Sequence, residues 1–241
     1  MKTSDSKIIV ALDYSDTKDV IRFADSVAPS LCRLKVGKEL FTHAGPKIVS
    51  DLIKKGFDIF LDLKFHDIPN TISGAINVAA DMGVWMTDVH ASGGKRMMEE
   101  AKNTLEKNNS DMLLVAVTVL TSFSSDDLSD IGIYSTTEEQ ALRLATLAKN
   151  SGMDGVVSSA GEARELRKTC GEDFILVTPG IRPISAKPDD QRRIFTPSQA
   201  IVNGSSYLVV GRPITQSLSP AGILEIMNDE VSLASVQANW S

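Results

Sequence analysis

The chain has 241 residues, of which 42% are hydrophobic and 23% are charged, and its formal net charge is −6. This length allows a sizeable core in one α/β barrel or in two smaller domains. An acidic chain argues against broad nucleic-acid binding, so any anionic ligand must be held by local basic groups.

The cysteines and the apolar runs restrict the class further. Cys32 and Cys170 are the two cysteines of the chain, and they lack the C-x-x-C spacing of a structural zinc site or a disulfide framework. No apolar run approaches the roughly 20 residues that a membrane helix needs, and the N-terminus lacks the apolar segment of a signal peptide. We therefore expect a cytoplasmic protein with no membrane or nucleic-acid partner.

Eight apolar runs rich in Val, Ile and Leu predict β-strands along the chain. They lie at residues 7–12, 32–36, 59–63, 84–89, 112–117, 155–157, 174–177 and 207–210. Segments with helical periodicity separate them and lie at residues 17–27, 47–55, 71–82, 95–106, 138–151, 161–168, 197–203 and 220–227. Buried strands that alternate with helices indicate a parallel sheet, and eight repeats predict a (β/α)8 barrel.

We expect residues 1–241 to form this barrel as a single domain. An open doubly wound sheet is the alternative, but no G-x-G-x-x-G follows the first strand to support its dinucleotide-binding form. The polar residues 229–241 predict a loosely ordered tail.

Charged residues mark the ends of the first three predicted strands. Asp13, Lys35, Asp62 and Lys64 all lie where a barrel carries its active site, at the carboxyl ends of the strands. Asp62 and Lys64 are two residues apart and so point to the same face of their strand. For a single isolated pair, a structural ion pair is the better explanation. Four charges that converge on one rim favour catalysis or binding, because burial of charge is costly.

The loops after the last two strands indicate a phosphate site. Each combines a glycine with an arginine, in Pro179-Gly180-Ile181-Arg182 and in Gly211-Arg212. Backbone N–H groups in these loops are the usual phosphate ligands of a barrel, and arginine adds a permanently charged, fork-shaped donor. Ordinary glycine turns with solvated arginines are the alternative for either loop alone.

Two connections are long enough to serve as lids. They cover residues 120–137 and 179–196, and unstructured loops of this length are uncommon in compact domains. Gln191, in the second connection, is a candidate to reach a ligand from such a lid.

Asp88 and His90 raise the question of a metal site. Both lie at the end of the fourth predicted strand and share a face. Because no second strand end carries histidine, we interpret them as a hydrogen-bonded polar pair in the core rather than as metal ligands.

Nearly the whole chain resembles the orotidine 5′-phosphate decarboxylase family. The most specific stretch is the run Asp62-Leu63-Lys64-Phe65-His66-Asp67-Ile68-Pro69-Asn70-Thr71, and Lys35-Val36-Gly37 narrows the match further. A bare D-x-K-x-x-D is shared with a wider superfamily. The resemblance implies a cofactor-free, metal-free barrel enzyme that decarboxylates orotidine 5′-phosphate to UMP as the last step of pyrimidine synthesis.

The resemblance also implies roles for the charged strand ends. Asp13 is similar to the aspartate that contacts the pyrimidine nucleotide, and Lys35 to the lysine that contacts the ribose. Asp62 resembles the carboxylate that faces the departing carboxylate of the substrate, and Lys64 resembles the proton donor to C6.

Further matches lie in the loops. Asp67, Ile68 and Thr71 resemble a segment that enters the active site of a second subunit, which implies a homodimer with shared sites. Thr121 and Ser122 resemble lid residues that contact ribose and pyrimidine. The residues similar to the phosphate-binding set are Arg182, Gln191, Gly211 and Arg212, with Pro179 in the same loop.

Two alternatives remain open. The first is a magnesium-dependent sugar-phosphate lyase or decarboxylase of the same superfamily, which needs an acidic ligand on the second strand where this chain has Lys35. The second is a non-catalytic nucleotide-binding barrel, which explains the phosphate loops but not a buried Asp-Lys-Asp cluster.

Overall fold

The computed structural model describes residues 5–183 and 195–238. In this part of the chain, parallel strands close into a barrel in chain order, with β8 paired to β1. The strands are β1 Ile8–Ala11, β2 Arg33–Gly37, β3 Ile59–Phe65, β4 Met86–His90, β5 Leu113–Val117, β6 Gly155–Val157, β7 Ile175–Thr178 and β8 Tyr207–Val210. The predicted single-domain (β/α)8 barrel is thereby confirmed.

Helices connect successive strands and surround the barrel. They are α1 Thr17–Ser26, α2 Lys38–Ala44, α3 Pro46–Lys54, α4 Pro69–Asp81, α5 Lys95–Lys107, α6 Ser125–Asp130, α7 Thr137–Asn150, α8 Ala163–Cys170, α9 Pro197–Val202, α10 Arg212–Thr215 and α11 Pro220–Ala238. A short 3-10 helix, Ala91–Gly93, follows β4. No described helix combines the length and the apolar character needed to cross a membrane.

The connection after β5 is more ordered than the sequence suggests. We expected residues 120–137 to be an unstructured loop, but α6 lies within it. The Ser124 side chain accepts from the Asp127 N–H while the Asp127 carboxylate accepts from the Ser124 N–H, which is a capping box. The buried Leu128 anchors this short helix to the barrel.

The tail prediction is wrong for residues 229–238, which belong to α11. Val231 and Ala234 on this helix are buried in the same core as the barrel strands. Together with Leu224 and Met227, they form the apolar face that packs α11 against the barrel. Residues 239–241 lie outside the described residues.

Strict alternation along each strand separates two cores. Outward side chains such as Ile8, Val10 and Leu61 pack under the helices. Inward side chains fill the barrel, and they are Ile9, Ala11, Phe60, Met86, Val115, Val177 and Val209. Because side chains alternate with a period of two, the inward positions above Phe60 on β3 are Asp62 and Lys64.

Polar and aromatic side chains fill the amino end of the barrel. The Arg33 guanidinium lies 4.4 Å from the ring centre of Trp85 and 5.2 Å from that of Tyr207. Arg33 Nε is 3.3 Å from the Asp58 carboxylate, and Arg33 also donates to the Ser6 carbonyl. This layer packs the bottom of the barrel, opposite the carboxyl ends of the strands.

Candidate active site

A cavity of about 260 Å³ opens at the carboxyl ends of the strands. Its walls come from β1, β2, β3, β5, β6 and β8 and from the loops that follow β1, β5, β7 and β8. The lining residues are Ala11, Asp13, Lys35, Phe60, Asp62, Lys64, Val117, Val119, Leu120, Thr121, Val157, Pro179, Gly180, Ile181, Arg182, Val209, Gly211, Arg212 and Pro213.

A row of alternating charges crosses one wall of the cavity. Lys35 Nζ lies 3.1 Å from Asp62 Oδ2 and 3.7 Å from Asp13 Oδ1. The other oxygen of Asp62, Oδ1, accepts from Lys64 Nζ. Asp62 therefore stands between two ammonium groups, and each of its oxygens faces a different lysine.

Electrostatics hold the inner pair of this row charged. Burial on its own would raise the pKa of Asp62, but Lys35 and the hydrogen bonds to Asp88 and Lys64 hold that pKa well below the usual range. Burial would lower the pKa of Lys35, and the carboxylates of Asp62 and Asp13 outweigh this effect and raise it. The opposite directions show mutual stabilisation of two buried charges.

Gly37 leaves the space that the Lys35 ammonium occupies. A Cβ at this position would lie 3.0 Å from Lys35 Nζ, which is too close for an unshifted side chain. The glycine at the end of β2 therefore lets Lys35 reach Asp62 without steric conflict.

Strand β3 contains a bulge at the residues that carry the charges, Asp62 and Lys64. Leu61 pairs with Thr87 of β4, but the next pair joins Phe65 to Val89, so three residues of β3 face Asp88 alone. Lys64 has φ of 51°, a left-handed conformation that costs about 1 kcal/mol in a residue with a side chain. Its N–H donates to Asp88 Oδ1 at 2.8 Å. A side-chain acceptor thus replaces the strand partner that the bulge removes.

Asp88 and His90 do not form the polar pair that we expected. Asp88 is fully buried, and its Oδ1 accepts the Lys64 N–H instead. The His90 ring lies 5.5 Å from the His66 ring, and burial, followed by the charges of His66 and Lys38, lowers the pKa of His90. The bulge explains the error, because it brings the Lys64 backbone over Asp88. Within residues 5–183 and 195–238, no cluster of three or more His, Cys, Asp or Glu side chains could hold a metal ion.

The loops after β7 and β8 form another part of the cavity wall. Pro179, Gly180, Arg182, Gly211 and Arg212 all line the cavity. Gly180 has φ of 81°, which a residue with a side chain rarely adopts. The Arg182 N–H donates to the Phe195 carbonyl at 3.0 Å and so fixes the start of the loop after β7.

Most, but not all, of the site residues predicted from the sequence lie at this cavity. The members that meet at the cavity are Asp13, Lys35, Asp62, Lys64, Thr121, Pro179, Arg182, Gly211 and Arg212. Four exposed residues lie outside its lining: Asp67, Ile68, Thr71 and Ser122. Gln191 falls outside the described residues.

Sequence reasoning missed the apolar part of the lining. Val117, Val157 and Val209 face the cavity from β5, β6 and β8, and Phe60 lies beneath the charge row. The signal that identifies them is the two-residue alternation counted inward from each strand end. These side chains keep one half of the cavity apolar, so the charges on the other half act in a medium of low polarity.

Fold and cavity together define a class. A closed parallel barrel whose charged cavity lies at the carboxyl ends of its strands is a barrel enzyme. A sequence model of the orotidine 5′-phosphate decarboxylase / HUMPS family matches residues 6–225, and the chain belongs to this family.

Individual relatives agree with this assignment. A protein from Vibrio cholerae serotype O1, strain O395, named orotidine 5′-phosphate decarboxylase, is 57% identical over 229 residues, which are 95% of this chain and 99% of that protein. A protein of the same name from Psychromonas ingrahamii is 56% identical over 94% of this chain and 97% of its own length. The crystal structure of orotidine 5′-phosphate decarboxylase from Lactobacillus acidophilus is similar with a TM-score of 0.84 and 39% identity, and covers 93% of this chain and 98% of that one.

Proposed function

We propose that this protein is a cofactor-independent decarboxylase that converts orotidine 5′-phosphate to UMP and CO₂. The observation that carries the proposal is the row Lys35–Asp62–Lys64, which faces a cavity that the glycine and arginine loops also line. Family membership and relatives of this name at 57% identity support the same reaction.

The charge row suits the difficulty of the reaction. Loss of CO₂ from C6 of the pyrimidine leaves an electron pair in the ring plane, where no π system can absorb it. Stabilisation must therefore be electrostatic and organised in advance. Lys64 supplies a cation beside C6 and then its proton. Asp62 faces the departing carboxylate and, with Lys35, holds the Lys64 ammonium in place.

The remaining candidate residues orient the substrate. Asp13 contacts the nucleotide and Lys35 the ribose, while Thr121 and Ser122 contribute from the loop after β5. The phosphate is held by the loops after β7 and β8, through Pro179, Arg182, Gln191, Gly211 and Arg212. Phosphate binding far from C6 can drive loop closure and so convert remote binding energy into stabilisation of the transition state.

The exposed segment after β3 supports a homodimer with shared sites. Asp67, Ile68 and Thr71 are exposed and do not line their own cavity, and Ile68 is 66% exposed. The Asp67 carboxylate accepts from the Ile68 N–H at 2.7 Å, which fixes the segment locally. We propose that Asp67 completes the charge row of the partner subunit and that Ile68 is buried against it.

The cysteines bear on the compartment. Cys32 and Cys170 are free thiols, and both are buried. Unpaired cysteines are the rule in reducing compartments, which supports a cytoplasmic location as part of the proposal.

A magnesium-dependent sugar-phosphate lyase is the rival within the family. That chemistry needs an acidic ligand on β2, whereas Lys35 projects there and already contacts Asp62 and Asp13. An ammonium at this position repels a second cation. The geometry therefore favours the decarboxylase.

The test is an assay of orotidine 5′-phosphate with the purified protein, by the loss of its absorbance and by CO₂ release. We expect turnover that is unchanged by EDTA. Turnover of a sugar phosphate that EDTA abolishes, without any reaction of orotidine 5′-phosphate, would establish the rival. Binding of UMP without turnover of either substrate would establish a non-catalytic nucleotide-binding barrel.

Shared sites are tested by mixing two inactive variants, Lys64→Ala and Asp67→Ala. Each mixed dimer has one site with both changes and one with neither, so random exchange restores about a quarter of wild-type activity. Mass spectrometry must confirm that subunits have exchanged. Exchange without recovery would show that each subunit works with its own Asp67.

A further inference from the structure

Asp88 of β4 lies opposite the bulge of β3 and is hydrogen-bonded to the backbone of the bulge. Its side chain is fully buried, at 0% exposure, and does not line the cavity. One oxygen, Oδ1, accepts the Lys64 N–H at 2.8 Å. Across the rest of residues 5–183 and 195–238, no nitrogen or hydroxyl donor reaches the other oxygen, Oδ2.

Asp62 is one of the three β3 residues opposite Asp88, and its carboxylate is the neighbouring charge that acts most strongly on the Asp88 carboxyl. Two carboxylates have only acceptor oxygens, so a hydrogen bond between them requires one shared proton. Asp62 is the more anionic of the two because both of its oxygens face lysine ammonium groups. The proton therefore resides on Asp88.

The charged groups around Asp88 also favour its protonated form. The charged side chains that face it are Asp62 and Lys64 on β3 and Lys35 on β2, with His90 two residues further along β4. Val115 of β5 pairs with it on the other side. Burial and the negative charge of Asp62 raise the pKa of Asp88 well above its usual value, against the weaker opposing effect of Lys64.

We propose that Asp88 is a neutral acid in the native protein and serves as a positioning residue, accepting the Lys64 N–H at one oxygen and donating its O–H to Asp62 from the other. It holds Lys64 in its left-handed conformation and fixes the Asp62 carboxylate between the two lysines. The role rests on the proposed function of Lys64 as proton donor, but the protonation of Asp88 does not.

The first experiment compares two replacements of similar size. Asp88→Asn keeps an acceptor for the Lys64 N–H and a donor for Asp62, whereas Asp88→Leu keeps neither. We expect Asp88→Leu to lower kcat about 100-fold with KM changed far less, because Lys64 shifts away from C6. Asp88→Asn should recover at least about tenfold of that loss, because a neutral amide makes both hydrogen bonds.

The second experiment tests whether Asp88 is protonated in the native state, and it requires no activity assay. A native state that keeps one proton per chain, which the unfolded chain loses above its ordinary pKa of about 3.9, becomes less stable as the pH rises. Between pH 5 and pH 7, the unfolding equilibrium constant of the wild type should rise relative to that of Asp88→Asn by about tenfold per pH unit. Urea unfolding at matched protein concentration measures it.

The outcomes separate this inference from the proposed function. A flat ratio of unfolding constants, an Asn variant as inactive as the Leu variant, or an Asn variant that does not fold would each contradict a neutral Asp88. A wild-type protein that fails to decarboxylate orotidine 5′-phosphate would overturn the proposed function and the catalytic reason for positioning Lys64. The ratio of unfolding constants would still report whether Asp88 is protonated.

Discussion

Two ion pairs link the inward faces of β2 and β3, one at each end of the barrel. At the amino end Arg33 pairs with Asp58, and at the carboxyl end Lys35 pairs with Asp62. Both pairs are largely buried, and Phe60 lies between their levels on β3. Each pair joins a basic side chain of β2 to an aspartate, at nearly the same separation in the sequence.

Their surroundings differ. Arg33 is stacked against Trp85 and Tyr207 at the closed end of the barrel. Lys35 and Asp62 open onto the cavity and continue into a row of charges on either side. A buried ion pair is thus no sign of catalysis by itself; charges that continue into an open cavity are what distinguish the carboxyl end.

Removal of one cation from each pair should separate activity from stability. Lys35→Met should lower kcat/KM about 1000-fold, because a preorganised charge is lost beside the substrate. It should stay folded, since Asp62 keeps its contact with Lys64. Arg33→Met should keep kcat close to that of the wild type and lose about 3 kcal/mol of unfolding free energy, because Asp58 is left without its cation.

Steady-state kinetics and urea unfolding of the two variants provide the measurements, and Lys95→Met on the exposed face of α5 is the matched control. An Arg33→Met variant that is stable but inactive would contradict the division between the two ends. So would a Lys35→Met variant that is active.

A smaller effect is the pH dependence of the stability that the Lys35–Asp62 pair contributes. The pKa of Lys35 is raised, so the stability it contributes is fully present below its unfolded pKa of about 10.4 and is lost only as the pH rises above that value. The difference in unfolding free energy between wild type and Lys35→Gln should therefore be constant from pH 7 to pH 10 and shrink above it.

Unfolding curves at successive pH values check this prediction. A Lys35 difference that already declines at pH 8 would mean that the neighbouring carboxylates do not hold its charge.

The sequence was sufficient to predict the barrel and most of the cavity, because both depend on regular alternation. Once the strands are placed, a two-residue period makes Asp62 and Lys64 face inward and assigns Asp13 and Lys35 to the same rim. Helix α11 was underestimated because its polar residues suggested disorder, whereas Asn228 and Glu230 hydrogen-bond to neighbouring segments. An apolar stripe that includes Val231 and Ala234 packs inward.

Features that depend on register between strands could not be predicted. The bulge at Asp62–Lys64 changes which residue of β4 lies opposite, and only this shift brings Asp88 under the Lys64 backbone. The Arg33–Asp58 pair lies at the amino end of the barrel, where no rule of active-site placement singles out charged residues. Neither contact leaves a local pattern in the sequence.

The Lys64→Ala variant tests the central claim most directly, because the account assigns both the cation beside C6 and the proton to this side chain. CO₂ release from orotidine 5′-phosphate and the affinity for UMP are measured on the same preparation. We expect CO₂ release to fall by at least about 1000-fold, while UMP still binds through the loops after β7 and β8. Near-normal CO₂ release by this variant would contradict the account.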